Sequence, residues 1–156
     1  MKSAKWVGLA LLTAVTVVLW IGFGKQPALY DLAIIGGGRE AHFRVELAES
    51  RSNLQHGLMD RKTLPDDAGM LFYLGNERTI SMWMKDTLVP LDMLFIAKNG
   101  RVVKIKENAT PESEKMINSG QPVIAVLEIK GGTAGKLQIK IGDMVICPPV
   151  LVEKSL

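Results

Sequence analysis

The sequence has a single cysteine, Cys147, and only two histidines, His42 and His56, among its 156 residues. One cysteine excludes an intramolecular disulfide, so the core must hold together without a covalent cross-link. The two histidines do not have the spacing of a zinc site. A phosphate-binding P-loop and a Gly-x-Ser-x-Gly nucleophile elbow are also missing from the sequence. Several enzyme classes that short motifs can identify are therefore excluded.

A concentrated run of basic residues is missing as well. The chain has 19 basic and 16 acidic residues, and without Lys2 and Lys5 its formal net charge is only +1. The later lysines alternate with acidic or apolar residues at positions 98, 104, 106, 130, 136 and 140. Because nucleic acid binding depends on a concentrated basic surface, we expect no nucleic acid partner.

The N-terminal segment is apolar. Lys2 and Lys5 precede an uncharged run from Trp6 to Gly24. A basic start followed by such a run predicts that residues 1–24 are a signal peptide or an N-terminal membrane anchor. The run exceeds the ~7–15 residues of a cleaved apolar region, which favours the anchor. We therefore expect an exported protein, in the periplasm or on the outer face of the inner membrane.

The remaining residues suffice for one compact domain. Residues 25–40 are interpreted as a linker and the first strand of a hairpin, and residues 41–150 as the domain. The glycines at 36–38 resemble a dinucleotide-binding fingerprint, but Phe43, Val45 and Leu47 then alternate with polar residues. That alternation predicts a strand where the fingerprint requires a helix, so the glycines indicate a hairpin turn.

Further elements follow from periodicity and turn signals. Ser52 and Gln55 form a capping box that predicts a helix start, with Arg61 and Lys62 at its C-terminal end. Asn99-Gly100 predicts a type I′ hairpin, and the apolar run 123–129 predicts a central strand. A short helix is expected within residues 131–137. The predicted fold is α+β and mainly antiparallel, a compact barrel-like or two-sheet single domain with one or two short helices.

Several short motifs occur in an order that resembles a known family. They are GLMDR (57–61), GMLF (69–72), WMKDT (83–87), PLDMLFI (90–96), ENATP (107–111), AVLEI (125–129) and GGTAGKLQIKIGD (131–143). Together they resemble the domain of unknown function 192 family, small bacterial and archaeal proteins that often carry an export leader. The resemblance covers roughly residues 41–147 and implies a mixed, mainly β fold without supplying an activity. Asp86 and Asp60 depart from the family pattern, which usually has asparagine at the first position and an aromatic residue or histidine at the second.

Charged residues interrupt the apolar stretch from Ile80 to Gly100. Asp92 begins a strand on the face shared by Leu94 and Ile96, where a carboxylate is costly unless it accepts hydrogen bonds or pairs with a cation. One interpretation is structural: Asp92 binds backbone N–H groups of the loop at 85–90 or pairs with Lys85. The other is a polar binding site, for which the candidate residues are Arg61, Trp83, Lys85, Asp92 and Glu128.

Glu128 leaves a similar choice. It lies on the most apolar strand of the sequence, and the simpler interpretation is that the end of this strand reaches solvent at Glu128. The alternative is an enzyme in which Lys85, Asp92 and Glu128 share a pocket, because paired carboxylates can perform acid–base chemistry.

Methionines suggest a further alternative. Met82 and Met84 lie on one face of a predicted strand, and paired thioethers with a histidine can hold Cu(I) in an exported protein. The competing interpretation is that methionine fills an irregular core.

We therefore expect an exported, membrane-tethered binding or accessory module of the cell envelope. Its expected partners are the membrane, through the N-terminal segment, and a small ligand or envelope protein. We expect no cofactor. The enzyme at Lys85, Asp92 and Glu128 and the copper-handling protein at Met82 and Met84 are the alternatives.

Overall fold

The computed structural model describes residues 27–148, 150 and 151, so the predicted leader at 1–24 lies outside the described residues. The elements in chain order are β1 (Leu29–Gly36), β2 (Arg39–Ala48), α1 (Arg51–His56), β3 (Ala68–Arg78), β4 (Ser81–Met82), β5 (Leu91–Ile96), β6 (Val102–Ala109), β7 (Ile117–Asn118), β8 (Val123–Lys130), α2 (Thr133–Lys136) and β9 (Met144–Ile146). Neither α1 nor α2 is long and apolar enough to cross a membrane.

Seven strands form the main sheet, in the order β6-β5-β8-β3-β2-β1-β9, while β4 and β7 form a separate two-stranded sheet. Neighbouring strands are antiparallel except β2 and β3, which pair in parallel from Arg44↔Ala68 to Ala48↔Phe72. A parallel pair requires a long crossover connection, and the segment that contains α1 provides it. As predicted, β8 is a central strand, and it is buried from Val123 to Ile129.

The main sheet curls into a half-barrel. One edge strand, β9, bridges the start of β6 near the other edge through Arg101↔Met144. Two backbone hydrogen bonds support this contact, from Val145 N to the Gly100 carbonyl at 2.8 Å and from Val102 N to the Asp143 carbonyl at 2.9 Å. The prediction of a mainly antiparallel, barrel-like α+β domain is confirmed.

The curl gives the sheet two buried faces. The inner face carries a cluster that includes Leu94, Leu127 and Val145, contributed by strands from both ends of the sheet. The outer face carries Phe72, Met93, Phe95 and Val126. The segments 50–67 and 79–90 cover the outer face by packing Leu58, Leu64 and Met84 against it. Burial on both faces explains why β5 and β8 are apolar without alternation.

Three local predictions need correction. The cap of α1 is Ser50, whose Oγ accepts a hydrogen bond from Asn53 N, and the helix already ends at His56. Asn99-Gly100 does form the β5–β6 hairpin, but only Gly100 has a positive φ, so the turn is not type I′. The strand predicted over residues 80–85 is confined to Ser81–Met82, because the chain then turns to bury Met84.

Two glycines give a matched test of the packing between β3 and β8. A Cβ at Gly69 would lie 2.5 Å from the Glu128 carbonyl oxygen, whereas a Cβ at Gly135 in α2 meets nothing closer than 3.5 Å. Gly69→Ala should destabilise the fold by about 1–3 kcal/mol, because the backbones must separate. Gly135→Ala should stabilise it by about 0.4–1 kcal/mol by restricting the unfolded chain. Urea unfolding would measure both, and equal effects would contradict this account.

Candidate functional site

Among the residues that the structure describes, Asp92 is the buried side chain with the most hydrogen bonds. Its Oδ1 accepts from Asn108 N at 2.8 Å and Gly132 N at 3.0 Å, and its Oδ2 accepts from Ala134 N at 2.8 Å. The residue itself is fully buried, at 0% exposure. Hydrogen bonds between a carboxylate and backbone N–H groups are charge-assisted and roughly twice as strong as neutral ones.

These bonds join three separate parts of the chain. Asp92 lies on β5, Asn108 near the end of β6, and Gly132 and Ala134 at the start of α2. A fourth contact, from Gly131 N to the Pro90 carbonyl at 2.8 Å, fastens the same junction. Asp92 thus satisfies orphan N–H groups of α2 from another element.

Asp92 accepts hydrogen bonds from backbone N–H groups, as the structural interpretation predicted, but the donors are not the expected ones. None of its hydrogen bonds comes from the loop at 85–90 or from Lys85. The donors lie 16, 40 and 42 residues away in sequence, a distance over which local patterns carry no information. Asp92 pairs with Ile129 of the inner face, so it lies on the face of Leu94 and Ile96, as predicted.

Glu128 is buried, contrary to the simpler interpretation that it reaches solvent. Its exposure is 4%, because Met70 on β3 and Met93 on β5 flank it across the sheet. Burial raises the pKa of Glu128 to about 8, so the side chain is mostly a neutral acid at pH 7.

The sheet register separates the two buried carboxyl groups. Asp92 pairs with Ile129, on the inner face, while Glu128 pairs with Met93, on the outer face. Residues directly opposite each other in a sheet point to the same side, so Asp92 and Glu128 point to opposite sides. They cannot share a pocket, and the enzyme hypothesis loses its pair of carboxylates.

Arg61 binds Glu46 and not Asp92 or Glu128. Its Nη1 and Nη2 contact Glu46 Oε1 and Oε2 at 2.5 and 2.7 Å, a bidentate pair. Hydrogen bonding to Glu46 raises the pKa of Arg61. Glu46, Met70 and Glu128 form one row across β2, β3 and β8, so Glu46 lies about 10 Å from Glu128 at ~4.8 Å per strand. Arg61 ties the segment over the outer face to β2.

Trp83 and Lys85 lie together in the loop before β5. Lys85 Nζ is 5.4 Å from the centroid of the Trp83 ring, a cation–π contact on a side chain that is 38% exposed. The five predicted site residues therefore fall into separate arrangements: Arg61 with Glu46, Trp83 with Lys85, Asp92 with backbone, and Glu128 among methionines.

The two positions that depart from the family pattern have a conformational explanation. Asp60 and Asp86 both have positive φ, at 62° and 52°. Asp60 N donates to the Asp86 carbonyl at 2.9 Å, so the two segments that cover the outer face meet here. Aspartate and asparagine tolerate the left-handed region better than most residues. Aspartate therefore suits the backbone conformation at both positions.

The methionine pair is not arranged as copper handling requires. Met84 is 1% exposed and packs in the outer-face cluster, while Met82 is only half-buried on β4. The two thioethers thus do not share an accessible face. Within the described residues, no group of three or more His, Cys, Asp or Glu side chains could hold a metal ion.

A cleft beside β6 was missed from the sequence. It has a volume of about 400 Å³ and lies between β6 and residues 110–118. Its polar lining consists of Lys104, Lys106, Thr110, Ser113, Lys115 and Asn118, and we call it the lysine cleft. The alternation that argued against a basic patch places Lys104 and Lys106 opposite Phe95 and Met93 on one side of β6. Lys115 joins them only because the following loop folds back.

Residues 33–147 match the model of DUF192, described as an uncharacterised ACR. The match spans well over half of the chain. The protein belongs to the DUF192 family. Comparison with curated proteins gives no match.

Two solved structures are similar to this DUF192 protein. A Sinorhizobium meliloti 1021 protein, provisionally described as a transcription regulator, is 43% identical, with a TM-score of 0.76 over 78% of this chain and 95% of that one. A Novosphingobium aromaticivorans DSM 12444 protein of unknown function is 37% identical, with a TM-score of 0.74 over 76% of this chain and 84% of that one.

Asp92→Asn should destabilise the domain by about 2 kcal/mol or more, because an amide keeps one acceptor and turns donors toward the N–H groups. Asp67→Asn is the control, since Asp67 is exposed and a surface change should stay within about 0.5 kcal/mol. Urea unfolding of residues 25–156 at pH 7 measures both. Similar losses in the two variants would remove Asp92 from its structural role.

Glu128 should make stability depend on pH. Its pKa is higher in the folded chain, so the folded state binds more protons between about pH 4.5 and about pH 8. Stability should therefore fall as pH rises through this window, by up to about 1.4 kcal/mol per unit.

Glu128→Gln should abolish this contribution and be more stable than wild type at pH 8. The exposed Glu107→Gln should keep the wild-type slope. The measurement is the free energy of unfolding at several pH values, and an unchanged slope in Glu128→Gln would contradict the assignment.

Proposed function

We propose that this DUF192 protein is an exported binding module of the cell envelope, tethered by its N-terminal segment. The main support for binding is the lysine cleft, which is open, has a volume of about 400 Å³ and is lined by both polar and apolar side chains. This volume falls within the ~300–1,000 Å³ of small-molecule sites. Export is supported by Lys2 and Lys5 ahead of the apolar run from Trp6 to Gly24.

The use of the other charged groups also favours binding over catalysis. The Asp92 carboxylate accepts hydrogen bonds from three backbone N–H groups, and the Arg61 guanidinium binds Glu46. Neither group is therefore available to a substrate. Glu128 lies on the opposite face from Asp92. The lysine cleft combines ammonium, hydroxyl and amide groups, which suit recognition, with no carboxylate or imidazole to act as a general base.

The S. meliloti relative is provisionally described as a transcription regulator, a role that our proposal does not adopt. The present chain has a net charge of only +1 without Lys2 and Lys5, and its cleft concentrates only three lysines. Duplex DNA binding would need a longer basic surface.

Export can be tested on the full chain with alkaline phosphatase fused to its C-terminus, an enzyme that is active only outside the bacterial cytoplasm. We expect alkaline phosphatase activity in intact cells, and after lysis we expect the active fusion in the membrane fraction. The matched control lacks residues 6–24 and should be inactive, because the apolar run directs export. Activity in the soluble periplasmic fraction would show that the N-terminal segment is a cleaved leader and not an anchor. Inactivity of the full-length fusion would overturn the envelope location.

A further inference from the structure

We propose that the lysine cleft binds a phosphate-bearing anion, with Lys106 and Lys115 as the principal contacts. The inference rests on the proposed binding function and names its site and ligand class. It stands on the geometry of three lysines from two segments that converge on one open cleft.

The lining of the cleft is positively charged, although Glu112 and Glu114 lie on the same loop as Lys115. Lys104, Lys106 and Lys115 line the cleft, and none of its lining residues is acidic. None of the three forms a salt bridge within residues 27–148 and 150–151, although other lysines and arginines there do. Glu128 lies on the same face, but the register places it two strands from Lys106, about 10 Å away at ~4.8 Å per strand. Like charges held together repel, so an anion in the cleft relieves this repulsion.

Lys104 holds the cleft in shape. Its Nζ lies 5.6 Å from the centroid of the buried Phe95 ring and donates to the Asn118 carbonyl. The first contact connects β6 to β5 and the second connects it to β7, while the backbone bond from Met84 N to the Ser113 carbonyl at 2.9 Å fixes the base of the loop. Lys106 and Lys115 have no such partner in the described residues, so their ammonium groups remain for a ligand.

The lining offers several donors to a phosphate group. Lysine binds phosphate as a compact point charge, and three lysines line the cleft. Thr110 and Ser113 add hydroxyl groups that can donate to the remaining phosphate oxygens. The 60% exposed Met116 and the half-buried Ile117 border the cleft and offer apolar contact to the rest of the ligand.

The test is calorimetric titration of the full chain, purified in mild detergent, with pyrophosphate at low ionic strength. We expect saturable one-to-one binding that weakens as salt rises. The double variant Lys106→Gln with Lys115→Gln should weaken binding at least tenfold. The matched control, Lys98→Gln with Lys140→Gln, removes the same charge from two exposed lysines outside the cleft and should change binding less than twofold.

Two further titrants define the ligand class and its source. Citrate, a multiply charged carboxylate, should bind at least tenfold more weakly than pyrophosphate. Phosphatidylglycerol vesicles present phosphate in a lipid headgroup, and binding to them that depends on Lys106 and Lys115 supports the same site with the membrane as the source.

The proposal is overturned if neither phosphate source binds, if citrate binds as well as pyrophosphate, or if the control variant loses as much binding as the cleft variant. These outcomes are independent of the fusion experiment, because titration in solution does not depend on export. A failure of the phosphate site and a failure of the envelope location can therefore be told apart.

Discussion

The Asp92 carboxylate is the interaction on which the arrangement of this domain depends. Three N–H groups from the ends of β6 and the start of α2 converge on one buried side chain of β5. Burying a charge without such partners would cost a large free energy. With three charge-assisted hydrogen bonds, the same charge stabilises the contact between these elements. The charged residue in the middle of an apolar segment thus fixes how the hairpin and the following helix meet, and it is unavailable for chemistry.

The two faces of the curled sheet carry different charged groups, with Asp92 on the inner face and the lysine cleft at the edge of the outer face. Its inner face is closed by β9 against the start of β6, and it holds Asp92. Its outer face is covered by two loop segments, and there the edge of β6 remains open beside residues 110–118. The cleft at this edge is therefore open, while the interior of the half-barrel is filled with side chains.

Sequence reasoning succeeded where the relevant signal was local. The hairpin at Gly37-Gly38, the buried strand that became β8 and the antiparallel character all follow from turn chemistry and periodicity. It failed at Glu128, because strand-end charge is usually exposed and the covering segments come from distant parts of the chain. It also missed the lysine cleft, since Lys104 and Lys106 alternate along β6 while Lys115 arrives from the next loop.

The sequence by itself determined the family, the fold class and the demand that a buried aspartate find hydrogen-bond donors. The last two conclusions need only residue type and spacing, whereas the family follows from the resemblance of the ordered motifs to those of known members. Tertiary structure decided which donors Asp92 receives, that Glu128 faces away from it, and that three scattered lysines share a cleft. The physical reason is that strand register and crossover path set which side chains meet. Both are fixed by the packing of the whole sheet, and one residue of slip would exchange its faces.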